Sequence, residues 1–466
     1  MSGGVLPIGG RPFLEITTTM KTTMFLYLAL LTCFLPVAPF LGAQETIGPA
    51  EQQAVVDSLC RQLTENYVYP EKGEQMAARL RDQLRGGQYS EEINVHTFAD
   101  QLTREVQAMS LDKHLTIRYD PEMARRLSRP HDEAGEPAGP PPDMLDRMRR
   151  ENYGFREVRI LAGNVGYLDL RGFYSPAEGG EAAAAAMNFL SGADAIVFDL
   201  RRNGGGDPGM IQLLTSYLYG PGANIHLNSF YFRPSDETTQ TWTLPYVPGQ
   251  RNPDAKVFVL TSSFTFSAAE EFTYNLKNLG RATIVGETTG GGAHPGGPHP
   301  LGERFTVFVP VGRAINPISG TNWEGTGVEP DVPTPSAEAL DRAHLLALEA
   351  LGKEAEAPDR KQYFAWYAED LKARLDPPRL DAETLARFAG TYGPRRLTWE
   401  EGTLSYQREG RPRLKLRAIN EHTFSPEGMP GFRLQLVLEG GRPVALMALE
   451  DNGYSERHPR DEPQRP

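Results

Sequence analysis

Cysteine is almost missing: only Cys33 and Cys60 occur among 466 residues. Cys33 lies in a removable N-terminal stretch, so the rest of the chain has no intramolecular disulfide and no cysteine-based metal site. Cys60, in VVDSLCRQLTENY, falls in a helical pattern and is expected to be a buried, inert thiol. Positive charge is in deficit, 48 Lys and Arg against 60 Asp and Glu, for a formal net charge of -12. That balance argues against nucleic-acid binding and against docking on an anionic membrane. No GKS or GKT follows the glycine-rich stretches, which argues against a phosphate loop.

Long apolar runs are confined to one place. Lys21 precedes an apolar stretch from Met24 to about Leu41, and the small residues Gly42 and Ala43 follow. This is the order of a secretory signal. Residues 1–43 are expected to be removed, with 1–19 as an upstream extension. The protein would then be periplasmic or extracellular, with no stable membrane span after cleavage. An uncleaved anchor is the other reading. Thr32 before Cys33 argues against a lipoprotein.

What remains has the composition of a soluble globular protein, 39% hydrophobic and 23% charged, and length for two or three domains. Helical periodicity predicts a helical N-terminal domain over 47–125, with Val55, Val56, Leu59, Leu63 and Tyr67 on one face. Residues 126–156, rich in Pro, Gly and acid, read as a linker or flap. From 157 to 356, apolar runs such as AIVFD and KVFVL alternate with helical stretches. That predicts an α/β domain with a largely parallel sheet covered on both faces. A helix and linker over 357–379 lead to a small all-β domain of five or six strands over 380–459.

Three stretches carry chemistry. In FDLRRNGGGDPGM, a strand runs into Gly204, Gly205 and Gly206, whose amides could stabilise an oxyanion, although a plain tight turn reads the same way. In VFVLTSSFTFSAAEEF, Ser267 stands at a strand-to-helix turn, and the free amide of Ala268 could receive negative charge. S-A-A-E is also a capping box, with Ser267 as cap and Glu270 at its third position. In VGETTGGGAHPGG, a glycine loop at Gly290, Gly291 and Gly292 could lie over a peptide, and Glu324 precedes GTGVEPD. A serine nucleophile needs a base. His114 is the leading candidate and His294 the second, while Glu324 on its own reads equally as a solvated loop carboxylate.

In order, VGYLDLRGF, IVFDLRRNGGG, LTSSFTFSAAEEF, ATIVGETTGGG and GTGVEPD resemble the tail-specific, C-terminal-processing serine peptidase family, over roughly residues 50–350. The branch looks like the bacterial relatives of the interphotoreceptor retinoid-binding protein, with the tricorn core protease more distant. The resemblance implies a crotonase-like spiral of ββα units under a helical N-terminal domain. It implies Ser267 as nucleophile, with oxyanion donors at Ala268 and at Gly204 or Gly205. The Ser-Lys dyad of some members is absent, because Gly292 stands where the lysine would be. His114 and Glu324 match the tricorn-like arrangement, except that Lys113 replaces a serine. The expectation is a serine peptidase acting on peptides or proteins through Ser267, His114 and Glu324, without metal or organic cofactor. Relatives on this fold that carry hydrophobic ligands supply the alternative, a non-catalytic binding protein. A scaffold protein using the C-terminal module is a third reading.

Overall fold

The computed structural model describes residues 45–129 and 140–461, so the expected signal segment lies outside the described residues. The class is mixed α/β with a sheet-rich C-terminal part, as the alternation of apolar runs and helical stretches predicts. Among the described residues, no helix is long and apolar enough to cross a membrane.

The central sheet has six strands, in the order Val332–Pro333, Ala282–Gly286, Lys256–Thr261, Ala195–Asp199, Val165–Leu170 and Phe155–Leu161. All neighbours are parallel except Phe155–Leu161, which pairs antiparallel with Val165–Leu170. The strands Ala195–Asp199 and Val165–Leu170 are buried at every position. Their near-continuous apolar sequences follow from this, because helices cover both faces. One face packs on the helices Pro176–Phe189, Pro208–Ser216 and Ala268–Asn278, the other on Ala339–Glu354 and Pro358–Leu375.

The N-terminal helices Pro49–Asn66, Pro70–Arg85 and Val95–Ser110 do not enclose a core of their own. Their buried Val55, Leu59, Phe98 and Leu102 pack with Leu301, Phe305, Val307 and Val309, far along the chain. Cys60 is buried in this cluster, as expected, and burial pushes its thiol up to about 11. The strand Thr116–Tyr119 joins the hairpin Gly296–Leu301 and Phe305–Pro310, with Thr116 opposite Phe308. That register carries His114, two residues before the strand, into the α/β part of the molecule.

Within the stretch expected to be a linker, Pro142–Arg150 is a helix. Proline at its first turn suits the fixed φ there, and Asp146 pairs with Arg149 and Arg150 along one face. At the C-terminal end, eight strands rather than five or six form a sequential antiparallel meander from Gly390–Tyr392 to Ser455–Pro459. The Asp461 amide donates to Thr391 O, so the meander curls almost closed. Arg433 lies over the Trp366 ring at 4.0 Å and pairs with Glu369, and Arg417 pairs with Asp370. These contacts seat the meander on the helix Pro358–Leu375.

Candidate active site

Two strand ends and one helix start build the first part of the site. Beyond strand Ala195–Asp199, Arg201 grips Asp199 with two nitrogens, and Asp199 also accepts the Tyr167 hydroxyl. This braces the chain just before Gly204. Asn203 then folds back: its Oδ1 accepts the Gly205 amide at 2.9 Å and its Nδ2 donates to Leu170 O. The Gly205 N–H is therefore engaged, which removes it from the expected oxyanion donors. Gly204 is exposed, and its amide has no acceptor among the described residues. Gly205 matters by lacking a side chain: its φ is +109, and a Cβ there would lie 2.7 Å from Ser267 Cβ and 2.9 Å from Ala268 N. The glycine turn therefore rests directly on the serine turn.

Ser267 has φ 55 and ψ -122, a conformation that non-glycine residues rarely adopt and that costs about 1–3 kcal/mol. Its own amide is taken by Glu270 Oε2 at 2.9 Å. The amide of Ala268, first in the helix Ala268–Asn278, has no carbonyl four residues back to receive it. Amides of Ala268 and Gly204 thus stand beside the half-buried Ser267 as candidate donors.

His114 arrives from the N-terminal region. The helix Val95–Ser110 ends at Leu111 in the left-handed conformation, and Asp112 Oδ1 accepts the His114 amide at 3.0 Å. The imidazole lies 4.6 Å, ring to ring, from Phe266, the neighbour of Ser267, and 5.7 Å from Phe308. Its Nδ1 is 3.8 Å from Asp112 Oδ1. No hydrogen bond joins His114 to Ser267 among the described residues, as is common before substrate binds. Burial pulls the imidazole down to about 4 against the pull of Asp112, so it is neutral at physiological pH.

Glu324 and His294 complete the cluster. One donor atom from each of Asp112, His114 and Glu324 lies within 4.8 Å of the others. Such an oxygen and nitrogen set could hold a metal ion. His294 Nδ1 sits 2.7 Å from Asp112 Oδ2 and 3.4 Å from Glu324 Oε2. Asp112, 1% exposed, also accepts the Tyr67 hydroxyl at 3.2 Å. Burial first, then the nearby Asp112 charge, pushes the Glu324 carboxyl up to about 7. The expected trio is thus divided: His114 and Glu324 come together with Asp112, and Ser267 approaches them through Phe266. His294 is tied to Asp112 behind His114.

The glycine loop differs from its expected role. Gly291 and Gly292 are buried, and their amides go to Glu270 at 2.6 and 2.8 Å. The Gly290 amide goes to Thr265 O, and its carbonyl receives Lys113 Nζ. The carbonyls of Gly291 and Gly292 are taken by Gly325 N and Trp323 Nε1. With these groups paired inside the protein, the loop offers a peptide little to bind. Sequence reasoning missed Glu270 as its anchor and Asn203 as the brace of the first turn. Both had a signal, the S-A-A-E cap and the N-G turn.

Residues 164–334 match the family model of peptidase family S41, and residues 49–152 match that of the N-terminal domain of Peptidase_S41 in eukaryotic IRBP. Together these matches take in more than half of the chain. The chain belongs to peptidase family S41. It is a serine-type peptidase. Among solved structures, the peptidase is similar to a photosystem II D1 C-terminal processing protease, with 17% identity, TM-score 0.40, and coverage of 62% of this chain and 94% of that one. A putative peptidase from Parabacteroides merdae ATCC 43184 gives 18% identity, TM-score 0.43, and coverage of 62% and 90%. The tricorn protease gives 13% identity, TM-score 0.41, and coverage of 70% of this chain and 37% of that one.

Proposed function

We propose that the chain is an exported peptidase that cleaves peptide bonds through an acyl-enzyme, with Ser267 as nucleophile and His114 as base. One observation carries this reading: a half-buried His114 with Asp112 and Glu324 within 4.8 Å, packed against the turn that presents Ser267. The Nδ1 of His114 faces Asp112, which leaves Nε2 to take the serine proton. As Oγ bonds to the carbonyl carbon, the developing oxyanion meets the amides of Ala268 and Gly204. Each such donor is worth about 10²–10³ in rate. The imidazolium is stabilised by the carboxylates of Asp112 and Glu324, then protonates the leaving nitrogen as the C–N bond breaks. Water, deprotonated by the same imidazole, releases the acyl group.

Peptides or proteins are the substrates that the family supports. Export rests on the apolar stretch after Lys21 and the small residues Gly42 and Ala43. The test is turnover of a quenched peptide by His114→Ala. Loss of ~10³ or more, with folding intact, is expected for a general base and orienting partner removed together. Unchanged turnover would move the base elsewhere.

A further inference from the structure

We infer that Glu270 is the positioning residue that holds the nucleophile turn and the base in register. The inference rests on the assignment of Ser267 and His114 above. Glu270 is fully buried and accepts four hydrogen bonds. Oε1 receives the Thr289 hydroxyl and the Gly291 amide, and Oε2 receives the amides of Gly292 and Ser267. Four donors fill the acceptor capacity of an ionised carboxylate, and a neutral acid or amide could not serve them all.

These four donors come from two segments. Ser267 belongs to the strained turn, and its N–H bond to Glu270 helps to hold a φ that the residue would otherwise leave. Thr289, Gly291 and Gly292 belong to the loop beneath His114. At Gly292 that loop leaves no room for a Cβ, which would lie 2.6 Å from His114 Cε1 and 2.3 Å from Phe266 Cζ. The next residues reach the other members of the cluster: the Ala293 amide donates to Glu324 Oε2, and His294 binds Asp112. One carboxylate thus ties the serine turn to the loop that contacts His114, Glu324 and Asp112. Because Glu270 occupies the Ser267 N–H, it also removes that amide from the oxyanion site and leaves Ala268 and Gly204. Glu270 touches no reacting atom and acts through the turn and the loop.

The test is Glu270→Gln in the full chain. This change keeps the shape but sets an NH2 group against one of the two donor pairs. Loss of alignment of about 1 Å predicts a fall in kcat of about 10²-fold, with KM for a short peptide little changed. Fluorophosphonate labelling should slow in parallel, and the amides of Gly291 and Gly292 should lose protection from hydrogen exchange. A folded variant with wild-type kcat would overturn the inference. Should Glu270→Gln not fold, Thr289→Val decides. It removes one donor, so reduced kcat that Thr289→Ser restores supports the clamp, and unchanged kcat overturns it. If wild-type protein takes no label at all, the failure belongs to the Ser267 assignment and is visible before any substitution is made.

Discussion

Gly292→Ala tests the placement of the base without altering any reacting group. A Cβ at this position would lie 2.3 and 2.5 Å from Phe266 Cζ and Cε2 and 2.6 Å from His114 Cε1. Carbon atoms settle at about 3.5–4.0 Å, so the two rings must give way by roughly 1 Å. The backbone is held on both sides, its amide by Glu270 and its carbonyl by Trp323 Nε1. The displacement therefore falls on the imidazole and on Phe266, beside Ser267. Overpacking of this kind costs about 1–3 kcal/mol of stability. A shift of about 1 Å in a reacting group costs about 10² in rate. The assay is kcat on a quenched peptide, with urea unfolding measured alongside to establish that the variant is folded. A folded Gly292→Ala with undiminished kcat would refute the account, because His114 could not then be the group whose position matters.

Two further outcomes concern protons. His114 lies at about 4 and Glu324 at about 7, so kcat/KM should fall in two steps as pH drops. The first, near 7, is the loss of the Glu324 charge that stabilises the imidazolium, and the second, near 4, is protonation of the base. In Glu324→Gln the upper step should vanish and the lower one remain; two identical profiles would contradict the role of Glu324. Glu271, buried in the helix behind Ser267, is pushed up to about 8 from 4.5 by burial. The folded state then holds a proton that the unfolded state releases, so Glu271 makes stability fall as pH rises from 4.5 through 8. Glu271→Gln should flatten that fall in urea titrations across this window, and an unaltered slope would place the carboxyl at an ordinary value.

The parts legible in the sequence are those encoded locally. Ser267 is recognisable because a buried strand, a short turn and an apolar helix adjoin it. The parallel sheet is recognisable because AIVFD and KVFVL are apolar throughout. The linker helix Pro142–Arg150 is hidden by the prolines and acidic residues before it, since its apolar stripe is only Met144, Leu145 and Met148, of which Met148 alone is buried. The meander was undercounted because edge strands such as Ser455–Pro459 are short and mostly exposed. The link between Asp112 and His294 spans 182 residues. It depends on the register of Thr116 opposite Phe308, which no local pattern specifies. Glu270 was legible as a helix cap, but its bonds to Thr289, Gly291 and Gly292 appear only when the loop folds over it.

The most direct test is to treat the folded protein with a fluorophosphonate and locate the adduct by mass spectrometry. A single adduct on Ser267, absent from Ser267→Ala, is the predicted result. An adduct on another residue, or none on an intact and folded protein, would contradict the assignment of the nucleophile.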